Sequence, residues 1–498
     1  MKEFLKNNWL ILSFELLVIV VFSLFYGSFG DINIDSFREA YIPQQILSGK
    51  SLYKDIFCIY SPLSYFINAV LFFIFGIKLK TLYFAGLLTT CGIIYFIKKL
   101  ADIFLDKISS FSVCLLFIAA FVFSPNVFNP FFPYSYGLLY GLLFILVSIY
   151  FVIKGKFPAS YLFYSLAICS KYEFILLLPL LFLITRKKDL LKNIIALLIP
   201  IISVLAVLFI TGTRFIDLIV SAGLVKEMAQ TKTLYWFYSS MGLIFRREII
   251  PIYFENVIKF FIPYKFIFQE FFLWAFPVIT ILFAFRFRSL NLQERFFSAA
   301  SIIISLKVFF ALTLQSYGVF FLPFALISFM ILIPKKLRKI FAIYFFIWSL
   351  IICYSNSKVL LEKSYKIETP QGVIKTNPEY GESFGETIKF FETLPEKTKV
   401  VVYPEGLAVN FLANRISDNK FYSLIPLYVE TFGDNIIVKR LKISNPDYIV
   451  ITDYNTSAYY YERFGYDYAA GVFEYIKNNY KLVKTTDSNF KAYIWKRN

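Results

Sequence analysis

The chain has 498 residues, 58% of them hydrophobic and only 17% charged, with a formal net charge of +18 and no histidine. Soluble domains run closer to half apolar and a quarter charged, so an ordinary soluble fold is excluded, and the missing imidazole excludes histidine-based proton transfer and histidine-ligated metals. Five scattered cysteines (Cys58, Cys91, Cys114, Cys169 and Cys353) form no C-x-x-C pair, which excludes a disulfide framework.

The first apolar run, "WLILSFELLVIVVFSLFYG" (9–27), follows Lys2 and Lys6. It is long for a signal peptide, contains Glu15 and lacks a small-x-small cleavage site. It reads as a retained first span (9–28) with the N-terminus in the cytoplasm, which leaves the charged stretch 30–61 outside. The apolar stretch 62–76 is short for a span and opens on Pro62, so it reads as an interfacial helix.

Further spans are predicted over 79–97, 109–124, 134–153, 157–170, 172–186, 190–212, 264–285, 295–311, 315–334 and 340–355. This alternation puts "KK" (98–99), "KGK" (154–156), "RKK" (186–188), "RFR" (286–288) and "KKLRK" (335–339) on one side. Basic loops belong in the cytoplasm, so the pattern accounts for the charge without a nucleic-acid partner. The sequence thus predicts eleven spans in a bacterial-type plasma membrane, with loop 213–263 and residues 356–498 outside. A membrane catalytic domain would cover 1–355 and an extracytoplasmic domain 356–498.

That tail is nearly neutral, with 19 Lys/Arg against 17 Asp/Glu. Strands are predicted over 399–404, 446–452, 480–485 and 491–496, and helices over 381–393, 433–444 and 468–479. Their alternation implies an α/β arrangement with a partly parallel sheet. It has no glycine-rich phosphate loop, and a structural or acceptor-recognising cap is the simplest role.

Two charged places stand out. In "CSKYEF" (169–174), Lys171 and Glu173 fall at an outward turn between two short spans, either as interfacial side chains or as a functional pair. In "DSFRE", Asp35, Arg38 and Glu39 are spaced i, i+3 and i+4 and would share one helical face before Pro43. That loop is either a solvated surface whose charges pair with one another or a site.

The run "DSFREAYIPQQILSGKSLYKDIFCIYSPLSY" (35–65) resembles the first external loop of GT-C fold glycosyltransferases, nearest the bacterial family 39-type enzymes. Those are relatives of protein O-mannosyltransferases, the lipid A aminoarabinose transferase and rhizobial galacturonosyltransferases. "YPEGLAVNFLANR" (403–415), "NPDYIVI" (445–451) and "FGYDYAAGVFEYIKNNY" (464–480) are similar to their tails.

The resemblance implies an enzyme that takes a sugar from a polyprenyl-phosphate carrier and gives it, with inversion, to a lipid, glycan or protein acceptor outside the membrane. It implies Asp35 as catalytic base or metal-associated carboxylate, with Asp31 a rival. Ser36 stands where relatives often carry a second acid, so Asp35 acts alone or with Glu39 or Asp55. A divalent metal is compatible with the family.

Such chemistry needs cations at the departing phosphate, for which Lys171 comes first, then Arg38, then Arg246 and Arg247. Asp31, Asp55, Tyr60, Glu173 and Tyr317 are the substrate-binding candidates. A transporter or lipid flippase is the alternative, favoured by intramembrane charges but not by the absence of visible repeats. Protease-accessible tags after residues 337 and 498 should report opposite sides of the membrane, with 498 outside; two cytoplasmic tags would overturn the span assignment.

Overall fold

A computed structural model describes residues 2–33, 35–185, 189–231, 233, 271–305 and 317–498. Among these the chain forms two compact units. One takes in the chain to residue 26, 85–204 and 271–360; the other takes in 27–84, 205–233 and 361–498.

Fourteen helices precede the tail among the described residues. They are α1 (Lys2–Leu24), α2 (Arg38–Leu47), α3 (Leu63–Phe75), α4 (Leu79–Phe104) and α5 (Lys107–Phe121). There follow α6 (Tyr136–Ile153), α7 (Phe157–Ser170), α8 (Leu178–Thr185), α9 (Leu190–Ile210) and α10 (Phe215–Ala229). The set ends with α11 (Phe271–Arg286), α12 (Leu292–Ser305), α13 (Leu322–Leu332) and α14 (Lys335–Glu362).

Four of these, α4, α6, α9 and α14, are long and apolar enough to cross a membrane, and other apolar helices are shorter. Within residues 62–76 the chain forms one short helix, α3, capped by Pro62 and Gly76. The predicted span 172–186 is divided: a 3-10 stretch, Tyr172–Leu177, precedes α8.

In the first unit α13 is buried on every side, whereas α9 and α14 turn large apolar side chains outward. Leu191, Ile195, Ile199, Ile202, Ile343, Ile347 and Leu350 are all exposed, at three- and four-residue spacing. Stripes of that size are unfavourable in water and suit lipid. The protein is a polytopic helical membrane protein.

The carboxyl end of α13 shows how the basic clusters are used. Arg286 Nη1 donates to the Leu332 and Ile333 carbonyls, both at 3.0 Å, and Arg338 Nη2 donates to the Ile331 carbonyl at 3.2 Å. Cations at a helix C-terminus satisfy orphan carbonyls and complement the macrodipole.

In the second unit, strands β1 (Tyr365–Thr369) and β2 (Gly372–Thr376) make an antiparallel hairpin that the sequence reading did not anticipate. β3 (Val400–Tyr403), β4 (Tyr448–Thr452), β5 (Tyr480–Thr485) and β6 (Ala492–Arg497) form a sheet in the order β3-β4-β6-β5, with only β3 and β4 parallel. Helices α15 (Pro378–Glu392), α16 (Leu407–Leu412), α17 (Pro426–Phe432), α18 (Asp434–Ser444) and α19 (Ala470–Asn479) connect the strands.

Arg415 is buried and caps α15, its Nη2 donating to the Phe391 and Leu394 carbonyls at 2.6 and 2.7 Å. Residues 27–84 belong to this same unit, so the charged opening segment and the sheet share one core. Phe57 shows the sharing: its ring packs on Tyr428 and Phe432, with centroids 4.9 and 5.1 Å away.

Candidate functional site

The opening segment leaves α1 through Gly27 and Gly30, whose φ values of +86° and +90° lie in the left-handed region that side chains resist. Asp31 then closes a small turn. Its Oδ1 accepts the Asn33 N–H at 2.7 Å, and its own N–H donates to Ser36 Oγ at 3.2 Å. The turn delivers the chain to a 3-10 stretch, Asp35–Phe37, and then to α2.

Asp35 opens that 3-10 stretch and is described by its backbone alone. Regular α-helix begins only at Arg38, so Asp35 precedes the helix on which the sequence reading had placed it with Arg38 and Glu39. Buried Ser36, holding the Asp31 N–H, ties this stretch back to the turn before it.

Arg38 and Glu39 are 3% and 1% exposed. The Arg38 guanidinium lies 3.4 Å from Glu39 Oε1 and 4.3 Å above the Tyr60 ring centroid, and its Nη1 donates to Tyr60 Oη at 3.1 Å. Tyr65 Oη donates to the same Glu39 oxygen at 3.2 Å. These charges sit in a dry core against aromatic rings and are neutralised there.

Cys58, Tyr65 and Tyr422 also lie close to this pair, and none of the three is marked as a site residue by the sequence. Burial pushes the Cys58 thiol up to about 12, so it is not a thiolate nucleophile. Burial likewise raises Tyr65, with Glu39 adding to the shift, and Tyr422, with Arg38 opposing it. The Tyr422 hydroxyl has no hydrogen-bond partner among the described residues.

Asp55 lies beyond this core. Its Oδ2 accepts the Ser51 N–H at 2.9 Å, closing the turn of "SLYKD". Lys420 Nζ donates to the Tyr53 carbonyl at 2.9 Å, and Lys50 and Lys399 flank Asp418 at 3.2 and 2.6 Å. The segment is fastened on its other side by Thr213 Oγ1 donating to the Leu52 carbonyl and Ser221 Oγ to the Cys58 carbonyl. At the start of α10, a hydrogen bond from Arg214 holds Asp217 down to about 2.

Lys171 belongs to the other unit. Helix α7 stops at Ser170, Lys171 is extended (φ −153°, ψ 102°), and the 3-10 stretch follows. Lys171 is buried, its Nζ is 3.7 Å from the Glu173 carboxylate, and it lies 6.0 Å from the Tyr172 ring centroid. Tyr164 Oη donates to the Phe174 and Ile175 carbonyls at 2.9 and 3.1 Å, so the break leaves them satisfied.

Gly141 makes room for the break: a Cβ there would meet Phe174 Cε2 at 2.7 Å. Tyr317 begins the 3-10 stretch Tyr317–Phe321 and is described by its backbone. Arg246 and Arg247 lie outside the described residues.

Asp31, Asp35, Arg38, Glu39, Asp55 and Tyr60 therefore share one unit, and Lys171, Glu173 and Tyr317 share the other. Among the described residues no group of three or more Cys, Asp or Glu is placed to hold a metal ion.

No protein-family model and no curated protein matches the sequence. Among solved structures the chain is similar to ArnT from Cupriavidus metallidurans bound to undecaprenyl phosphate, with a TM-score of 0.54 at 13% identity over 98% of both chains. It is also aligned with the oligosaccharyltransferase AglB of Archaeoglobus fulgidus in complex with an inhibitory peptide and a dolichol-phosphate. That match has a TM-score of 0.46 at 11% identity, over 90% of this chain and 70% of the other. The chain has the GT-C fold that its sequence resembles.

Replacing Arg38 by Met strips the buried Glu39 of its guanidinium. The expected loss is about 3–5 kcal/mol of stability, read as a large fall in the thermal melt of the purified chain. Tyr60→Phe keeps the stacked ring and loses one hydrogen bond to a charged group, so it should cost less, about 1.5–3 kcal/mol. A wild-type melt for Arg38→Met would free Arg38 for ligand binding.

Proposed function

We propose that the protein is a membrane glycosyltransferase that moves a sugar from a polyprenyl-phosphate-linked donor to an acceptor hydroxyl outside the membrane, with inversion. The observation that carries this reading is the fold match along 98% of both chains with ArnT, whose structure holds undecaprenyl phosphate. The position of Asp35, in the first charged turn after α1, supports it.

In this reaction the acceptor oxygen forms a bond to the anomeric carbon as the bond from that carbon to the phosphate oxygen breaks. The acceptor proton passes to the Asp35 carboxylate, and the phosphate leaves on its polyprenyl chain as an anion. Single displacement accounts for the inversion and needs no covalent sugar–enzyme intermediate.

Lys171 is the cation proposed for the phosphate. It is buried at a helix break with its ammonium near Glu173, which orients it. Arg38 takes a different part: stacked on Tyr60 and paired with Glu39, it holds the loop that carries Asp35. Asp31 and Asp55 shape turns of the same loop, and Tyr60 supplies the ring beneath Arg38.

Comparing sugar-bearing lipids and envelope glycans of cells with and without the gene identifies donor and acceptor. Restoration of the missing glycan then measures transfer by variants. Asp35→Asn keeps the size and removes the base, so transfer should fall by about two to four orders of magnitude while the protein folds; near-normal transfer would take Asp35 out of the mechanism.

Lys171→Met keeps the aliphatic stem and removes the charge. It should weaken binding of undecaprenyl phosphate in nanodiscs by about 2–3 kcal/mol, a charge-assisted hydrogen bond in a dry site, or roughly 30- to 150-fold. Lys171→Arg should retain part of the affinity. Equal affinities for wild type and Lys171→Met would leave Lys171 a structural residue.

A further inference from the structure

Four consecutive carbonyls leave α1 with a donor on each. The Gly27 carbonyl accepts the Lys375 N–H at 2.7 Å and the Ser28 carbonyl accepts Lys363 Nζ at 2.9 Å. The Phe29 carbonyl accepts Tyr83 Oη at 2.7 Å, and the Gly30 carbonyl accepts Lys363 Nζ again at 3.3 Å. Ser28 and Phe29 are buried. The donors come from α4, from strand β2, and from the residue that joins α14 to the β1–β2 hairpin. A solvent-facing loop needs no such set, because water satisfies its carbonyls. Here one ammonium bridges two of them.

The next residue along the chain is Asp31, which closes the turn into Asp35–Phe37. We propose that Lys363 is a positioning residue, whose ammonium, with the β1–β2 hairpin, fixes segment 27–31 and thereby the turn that carries Asp35. The proposal rests on Asp35 acting as the base. It gives the C-terminal part of the chain a share in setting the geometry of the reaction, because a misplaced general base loses rate before it loses substrate affinity.

Charge supports the geometry. Burial lowers Lys363 to about 8, and the charge of nearby Asp31 works against that shift. Tyr380 of α15 is also close enough to feel the charge of Asp31, together with that of its neighbour Glu379. Lys363 is a cation below pH 8 and holds the carbonyls and Asp31 most strongly there; above pH 8 it becomes a neutral amine and the hold weakens. Global stability moves the other way. Between the folded value near 8 and the ordinary lysine value of 10.5, the unfolded chain binds more protons, so this group adds stability as pH rises through that window. A falling transfer rate beside undiminished stability separates positioning from mere folding.

The test compares wild type, Lys363→Met and Lys363→Arg as full-length proteins. Hydrogen-exchange mass spectrometry should show residues 27–37 exchanging about tenfold faster in Lys363→Met, with strands β3 and β4 unchanged and Lys363→Arg close to wild type. In the complementation assay Lys363→Met should lose transfer by about 10- to 100-fold, the range a misplacement of roughly 1 Å produces, with wild-type affinity for undecaprenyl phosphate. Wild type should lose transfer above pH 8, whereas Lys363→Arg should not. Unchanged exchange over 27–37 in Lys363→Met would overturn the clamp, and faster exchange with wild-type transfer would overturn its link to the reaction. Faster exchange in a protein whose wild type restores no glycan would overturn the proposed activity and leave the clamp standing.

Discussion

A guanidinium and a carboxylate removed from water must be neutralised where they lie, and the Arg38–Glu39 pair imposes that condition on the whole opening segment. Desolvation of two such ions outweighs their mutual attraction unless further partners are supplied. Tyr60 supplies a ring face and a hydroxyl, and Tyr65 a hydrogen bond to Glu39. These partners come from beyond α2, so the loop has to fold back over its own first helix. A helix whose first eight residues are all buried follows directly from that arrangement.

The same rule governs the helices of the other unit. In a medium without water, a break in a helix is tolerated only where other groups take up the freed carbonyls. Tyr164 does so below Lys171, and Arg286 with Arg338 does so at the end of α13. The energy of apolar burial, roughly 25 cal/mol per Å², is available to helices such as α13. It is not available to the outward faces of α9 and α14, which lipid must cover.

Function in such a fold is expected where irregular backbone meets charge. Regular helices satisfy their own polar groups and present only side chains, whereas residues 27–31 and the Ser170–Tyr172 break bring carbonyls and charged side chains together. Holding that irregular backbone in one conformation requires donors from elsewhere in the chain, and both places have them.

The sequence by itself determined the apolar helices, the basic punctuation between them, the four strands of the sheet and the two charged places, because each is written in a local repeat or spacing. Residues three or four apart share a helical face, and alternate residues share a strand face, whatever the rest of the chain does. It did not determine that Arg38 and Glu39 are buried, or that Tyr422 stands beside them. Nor did it mark Lys363, which is separated from the Ser28 carbonyl by 335 positions. A lone lysine in a charge-balanced tail carries no local signal. Its significance comes from desolvation and from which carbonyls happen to face it, and those are properties of the packed chain alone. The short hairpin β1–β2 was missed for the same reason: five-residue strands of mixed polarity hold together through Lys375 on Gly27 as well as through their own pairing.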